Sequence, residues 1–273
     1  MNKRKPLVKH PNLPTENKDK QIYFLCAMPR SGNTLFASIM NQNPEIVVTP
    51  NSITLEIMKE LFLLKKTDVF QNFPDEQSLN NVMDEVYNLY YKNWNYKMII
   101  DRGPVCTPAN LMVIKKHFKK PIKCIVILRD VLDVLASYIK WFENESTAFP
   151  NQFKTIEEKL SQIMHKNGAV AKELMSIQYL LQHPEMAVFI KYNDLVINPE
   201  KELRKVYTFL NLPYFPHTFI DLDQMTVNGL QYNDGIVGKN MHTIRTNKIM
   251  KVENEYKSMI PERFIKEYGH ITF

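Results

Sequence analysis

The chain has 273 residues, 44% of them hydrophobic, enough to bury a full core, and its size suits one large domain or a domain with extensions. A formal charge of +6 with pI near 9.0 points to an anionic partner of some kind, whether nucleic acid, membrane surface or small ligand, or simply to a lysine-rich surface. The three cysteines, Cys26, Cys106 and Cys124, form no C-x-x-C pair, which argues against a disulfide framework or a zinc site and suits a reducing, cytoplasmic setting.

In chain order, residues 1–20 carry scattered charge and prolines and are expected to form a basic, disordered tail, with residues 21–273 as a single α/β domain. No signal peptide is expected at the polar N-terminus, and apolar runs such as Ile22–Met28 and Cys124–Leu128 are far shorter than the ~20 residues that cross a bilayer. Strands are expected at Ile22–Met28, Lys97–Asp101, Lys123–Leu128 and Met186–Tyr192. Helices are expected at Asn33–Gln42, Ala109–Phe118, Leu132–Phe142, over a long stretch from Glu157 to Leu181, and at Pro199–Leu210, where proline opens the first turn. Thr54–Tyr91 and Glu143–Glu158 are further variable helical regions. This alternation predicts a central parallel sheet in a three-layer αβα domain with a P-loop-like strand-turn-helix.

In such a sheet ligands bind beyond the carboxyl ends of the strands. After the first strand comes "PRSGNT", residues 29–34: Gly32 lets backbone amides face a ligand, the next helix offers its positive end, Arg30 adds a cation, and Ser31, Asn33 and Thr34 add neutral donors. An ordinary capped turn would look similar. After the third strand comes "RDVLDVLAS", in which Ser137 follows Arg129 by 8 positions. That is a little over two turns at about 3.6 residues per turn, so both could reach one small anion. Alternatively Arg129 pairs with Asp130 or Asp133 and Ser137 only packs.

Taken together, "PRSGNT" and "RDVLDVLAS" resemble, in order and spacing, the two phosphate-binding stretches of the sulfotransferase family. The arginine in the loop is most similar to the bacterial, tyrosylprotein and heparan branch. "KYNDLVINPEKELRKVYTFLNLP", residues 191–213, and "NMHTIRT", residues 240–246, resemble further family segments. The resemblance implies that Arg30, Ser31, Gly32, Asn33 and Thr34 hold the 5′-phosphosulfate of 3′-phosphoadenosine 5′-phosphosulfate (PAPS), and that Arg129 and Ser137 hold its 3′-phosphate. It also implies nucleotide contacts from Tyr192, His242 and Arg245, the last two on a closing loop with Gly229, Gly235 and Gly238 as hinges.

The turn lacks the lysine and second glycine of G-x-x-x-x-G-K-[ST], which disfavours a nucleotide kinase, the alternative on this architecture. Metal-independent sulfuryl transfer to an unidentified hydroxyl or amine is the expectation. Aromatic and basic residues do not interleave as in RNA readers, so nucleic acid is not expected as a partner. For the general base, Asp101 ends a strand at the functional edge in "KMIIDRGP". Arg102 stands where cytosolic relatives carry histidine, and the glutamate of the heparan branch has no counterpart nearer than Glu56. Asp101 with Arg30 forms the expected catalytic pair, with Glu56 and His242 as other candidates for the base. Asp101 could instead cap a helix or pair with Arg102. His117 and His165, beside lysines, are expected at the surface.

Overall fold

A computed structural model describes residues 20–144, 153–222, 226–231, 233, 242, 244, 249 and 255–273. The expected N-terminal tail, apart from Lys20, lies outside these residues. Strand β1 (Gln21–Ala27) is apolar on both faces and buried from its second residue onward, as the middle strand of a covered parallel sheet must be. Around it lie β2 (Ile46–Asn51), β3 (Met98–Arg102), β4 (Cys124–Leu128) and β5 (Ala187–Lys191). Their order is β2-β3-β1-β4-β5, and every neighbouring pair is parallel. A short antiparallel pair, β6 (Thr226–Val227) and β7 (Leu230–Gln231), forms a second, two-stranded sheet whose β6 lies against β2.

The helices are α1 (Asn33–Met40), α2 (Thr54–Leu64), α3 (Asp68–Asn72), α4 (Glu76–Tyr90), α5 (Pro108–His117), α6 (Val131–Asn144), α7 (Ile156–Met164), α8 (Ala169–Gln182), α9 (Tyr192–Ile197), α10 (Pro199–Phe209) and α11 (Glu262–Tyr268). Several begin where the sequence supplies a cap: Thr107 accepts from Asn110 N–H, Asn198 from Lys201 N–H, and Thr155 with Glu158 closes a capping box. Successive β1 side chains point to opposite faces. The Tyr23 ring meets Phe209 of α10 at 6.4 Å, whereas the Phe24 ring meets Tyr87 of α4 at 5.8 Å and Phe118, just after α5, at 5.3 Å. Helices therefore cover both faces, and the αβα architecture expected from the alternation is the one observed. Among the described residues, no helix is long and apolar enough to cross a membrane.

Three expectations change. The strand Ile46–Asn51 was not expected. Pro50 within it cannot donate to a ladder, which is tolerated because β2 is the edge strand. The long helix expected over 157–181 is two helices, broken between Met164 and Ala169. His117 is not at the surface: it is 2% exposed, and its Nδ1 lies 2.7 Å from Asp84 Oδ1 on α4.

The break before α8 rests on Gly168. A Cβ there would lie 2.3 Å from Ile163 O and 2.5 Å from Gln162 O, backbone atoms that cannot yield. Gly168→Ala should therefore destabilise the protein by about 1–3 kcal/mol, the usual cost of overpacking. A lowered thermal midpoint would report it, and an unchanged midpoint would show that the junction relaxes freely.

Candidate functional site

The carboxyl ends of the parallel strands converge on the turn after β1. Within it Arg30 has φ 68° and Gly32 φ 89°, both left-handed. The turn is closed by Ser31 N–H and Asn33 Nδ2–H, which both donate to Met28 O at 3.2 Å, and by Phe36 N–H, which donates to Gly32 O at 2.9 Å. Gly32 is also the cap residue of α1, whose first turn holds no acidic side chain and no side-chain cap. The positive end of the helix is thus left for a ligand. A Cβ on Gly32 would come within 2.7 Å of the Tyr192 ring, so glycine is needed for both its conformation and its size.

Arg129, leaving β4, donates from its guanidinium to Arg30 O and lies 4.2 Å from the centroid of the Tyr192 ring. Arg30 Nε donates to Ser137 Oγ on α6 at 3.2 Å. The acidic residues next to Arg129 are engaged elsewhere: Asp130 Oδ1 accepts from Phe273 N–H at 2.8 Å, and Asp133 pairs with Lys257. Arg30, Ser31, Gly32, Asn33, Arg129, Ser137 and Tyr192 therefore form one cluster, with Thr34 half-buried on the first turn of α1. Within it Ser31 Oγ, Asn33 Oδ1 and Arg129 Nε are buried without a hydrogen-bond partner. Two guanidinium groups, a helix N-terminus and an unpaired buried hydroxyl are the donor set an oxyanion requires. His242 is half-buried; Arg245, Gly235 and Gly238 lie outside the described residues. Among the described residues, no group of three His, Cys, Asp or Glu side chains could hold a metal ion.

Asp101 is placed differently from the other candidates. It is 2% exposed, and its oxygens are taken by hydroxyls: Oδ1 accepts from Thr49 at 3.1 Å and Oδ2 from Thr54 at 2.6 Å. Since Thr54 spends its proton on Asp101, Ser52, 2.7 Å from Thr54 Oγ1, must donate to it. Burial raises the Asp101 pKa, and these hydroxyls pull it back. With each oxygen bonded to a hydroxyl, one from β2 and one from α2, Asp101 on β3 braces these three elements. The backbone N–H of Arg102 donates to Thr49 Oγ1 at 3.0 Å. Glu56 is exposed on α2.

Sequence reasoning passed over two residues beside the site. Tyr138, next to Ser137, is 4% exposed; burial pushes its phenol up to about 12, while Arg30 and Arg102 act to lower it. Glu173 of α8 is buried at the end of β1. Its signal in the sequence was a carboxylate on an apolar helical stripe with Val170, Leu174 and Ile177.

Residues 23–216 match the pattern of the sulfotransferase family. Among solved structures, the sulfotransferase domain from the curacin biosynthetic pathway superposes with a TM-score of 0.51 at 17% identity, covering 93% of this chain and 99% of that one. The sulfotransferase domain from the Synechococcus PCC 7002 olefin synthase gives 0.52 at 13% identity, covering 96% and 100%. At these identities the likeness is one of fold. No curated protein matches the chain.

The hydroxyls around Asp101 favour its ionised form, so removing one should matter most where Asp101 is charged. Because burial raises its native pKa above the unfolded value, near 3.9, Asp101 contributes less to stability as pH rises through the native value. Thr54 limits that loss. Thr54→Val should cost about 1–3 kcal/mol near neutrality and less in acid, measured by urea unfolding at several pH values. A cost independent of pH would mean the hydroxyl is not supporting a carboxylate.

Proposed function

Because the chain belongs to the sulfotransferase family, we propose that it moves a sulfuryl group from PAPS to a hydroxyl or amine acceptor, without a metal. The observation that carries this reading is the closure of two distant stretches on each other: Arg30 Nε meets Ser137 Oγ at 3.2 Å, and Arg129 holds Arg30 O. One stretch supplies a cradle for the 5′ end of the nucleotide, through Arg30, Ser31, Gly32, Asn33 and Thr34. The other supplies Arg129, Ser137 and Tyr192 for the 3′-phosphate. The unpartnered Ser31 hydroxyl and Arg129 Nε fit an anion at this place. His242 and Arg245 are the proposed contacts from the closing segment.

The chemistry asks the turn for charge stabilisation. A transferring sulfuryl group carries less negative charge than a γ-phosphoryl group, so a guanidinium and backbone donors can serve where a kinase uses lysine and magnesium. Arg30 is the cation inside the turn and is placed to meet charge that develops as the donor's bond breaks. Asp101, proposed from its position at the end of β3, suits the brace better than the base, because its oxygens are already bonded. A nucleotide kinase is the alternative, and the missing loop lysine weighs against it.

Calorimetry should detect adenosine 3′,5′-bisphosphate binding with no requirement for magnesium. Binding of ATP only with magnesium would instead favour the kinase. Arg129→Ala should weaken adenosine 3′,5′-bisphosphate far more than adenosine 5′-phosphate, since only the former carries the group assigned to Arg129. Equal losses would make Arg129 purely structural.

Arg30→Ala should lower PAPS turnover on the order of 100-fold or more, the scale of losing one transition-state donor. Near-normal turnover would remove Arg30 from the chemistry.

A further inference from the structure

Three carboxylates are buried among the described residues: Asp101, Glu173 and Glu202. Asp101 has a hydroxyl on each oxygen, and Glu202 is paired with Lys205 Nζ at 2.6 Å. Glu173 alone of the three keeps a buried oxygen, Oε2, without a hydrogen-bond partner. An unpaired polar atom in a core is costly, and such an atom beside a reaction site calls for an explanation.

Its position is fixed by α8. One turn on, Ser176 Oγ accepts from Cys106 N–H at 2.9 Å and contacts Cys26 Sγ at 3.7 Å, which pins this helix face to both β1 and the loop after β3. Glu173 is thereby set at the last residue of β1, interacting with the Ala27 backbone, three residues before Arg30. The titratable and charged groups around it are Cys26 of β1, Arg102 of β3 and Tyr138 of α6. Arg30, the cation of the phosphate turn, also acts on Tyr138.

We propose that Glu173 is the catalytic base, the group that receives the acceptor's proton. This deepens the sulfotransferase reading and rests on it. The acceptor oxygen or nitrogen forms its bond to sulfur as the bond from sulfur to the 5′-phosphate oxygen breaks. The electron pair leaves on that phosphate, and the acceptor's proton passes to Glu173 Oε2 and then to solvent. Burial raises the Glu173 pKa well above the ordinary carboxylate range, with Arg102 and the Ala27 backbone opposing. That makes it a stronger proton acceptor than a surface glutamate, and one whose ionised fraction grows with pH.

The test uses the whole chain, with adenosine 3′,5′-bisphosphate binding by calorimetry and PAPS cleavage with water, then with added phenol, as acceptor. In Glu173→Gln, binding should stay within about 2-fold while kcat falls about 100-fold or more, the range of general base catalysis. Wild-type rate should rise with pH through the carboxyl's titration, and the Gln variant should lose that limb. Glu173→Asp, which keeps a carboxylate, should recover part of the rate.

An independent readout needs no turnover. Native Glu173 holds its proton more tightly than the unfolded chain does, so it lowers stability as pH rises from about 4.3 through its native value. Glu173→Gln should abolish that loss in urea unfolding curves. Gln-variant turnover within about 3-fold of wild type, or a fall matched by lost nucleotide binding, would overturn the proposal. Failure of the wild type itself to bind the bisphosphate would overturn the sulfotransferase reading instead, whatever Glu173 does.

Discussion

The guanidinium of Arg129 ties three strand ends together. It leaves β4, donates to the carbonyl of Arg30 after β1, and stacks on Tyr192 after β5. Each contact is modest alone, a cation over a ring contributing about 0.5–2 kcal/mol. Together they dictate the turn. Tyr192 stands where a side chain at position 32 would go, so the residue there has to be glycine, and Arg30 is held in a left-handed conformation by a bond to its own carbonyl. The parallel sheet makes this possible, because only parallel neighbours bring successive carboxyl ends to one edge.

The same edge shows two ways of burying an acid. Where the β2–β3 ladder slips between Val48 and Asn51, Thr49 takes the Arg102 N–H and in turn donates to Asp101. The carboxylate and its hydroxyls thus stand in for regular pairing at an irregular edge strand, and the buried charge is compensated by the groups that the irregularity frees. Glu173 has no such set of hydroxyls: its helix brings mainly apolar neighbours, and β1 adds the Cys26 thiol and the Ala27 backbone. In a low-dielectric interior the first arrangement holds a structure in place, while the second leaves a proton-binding group whose state depends on what comes beside it.

The phosphate turn and the helix opening after β4 could be read from the sequence because their information is local: a glycine and a cation at a strand end, and an arginine and serine at helical spacing. What could not be read depended on partners far along the chain. Asp101 ends a strand as expected, but its role is set by Thr49 and Thr54, and nothing near "KMIIDRGP" announces them. His117 sits among lysines and looks exposed until α4 delivers Asp84 to it. Pro50 disguised an edge strand, and the apolar run through 157–181 hid the steric demand at Gly168. Glu173 was visible as a polar residue on a buried stripe, yet only the fold places that stripe against the end of β1.

The site is also where the chain gives up stability. A non-glycine residue at positive φ costs about 1–3 kcal/mol, and Arg30 sits at φ 68°. Ser31 Oγ and Arg129 Nε are buried without partners, each at a desolvation penalty of about 1–3 kcal/mol. The core strands meet these costs: β1, β3 and β4 are almost wholly buried up to the last turn before the edge. An anion that bonded to those donors would recover what folding left unsatisfied, so part of its affinity is already stored in the free protein. Preorganisation of this kind explains why the turn departs from local stability rules while the strand leading into it obeys them throughout.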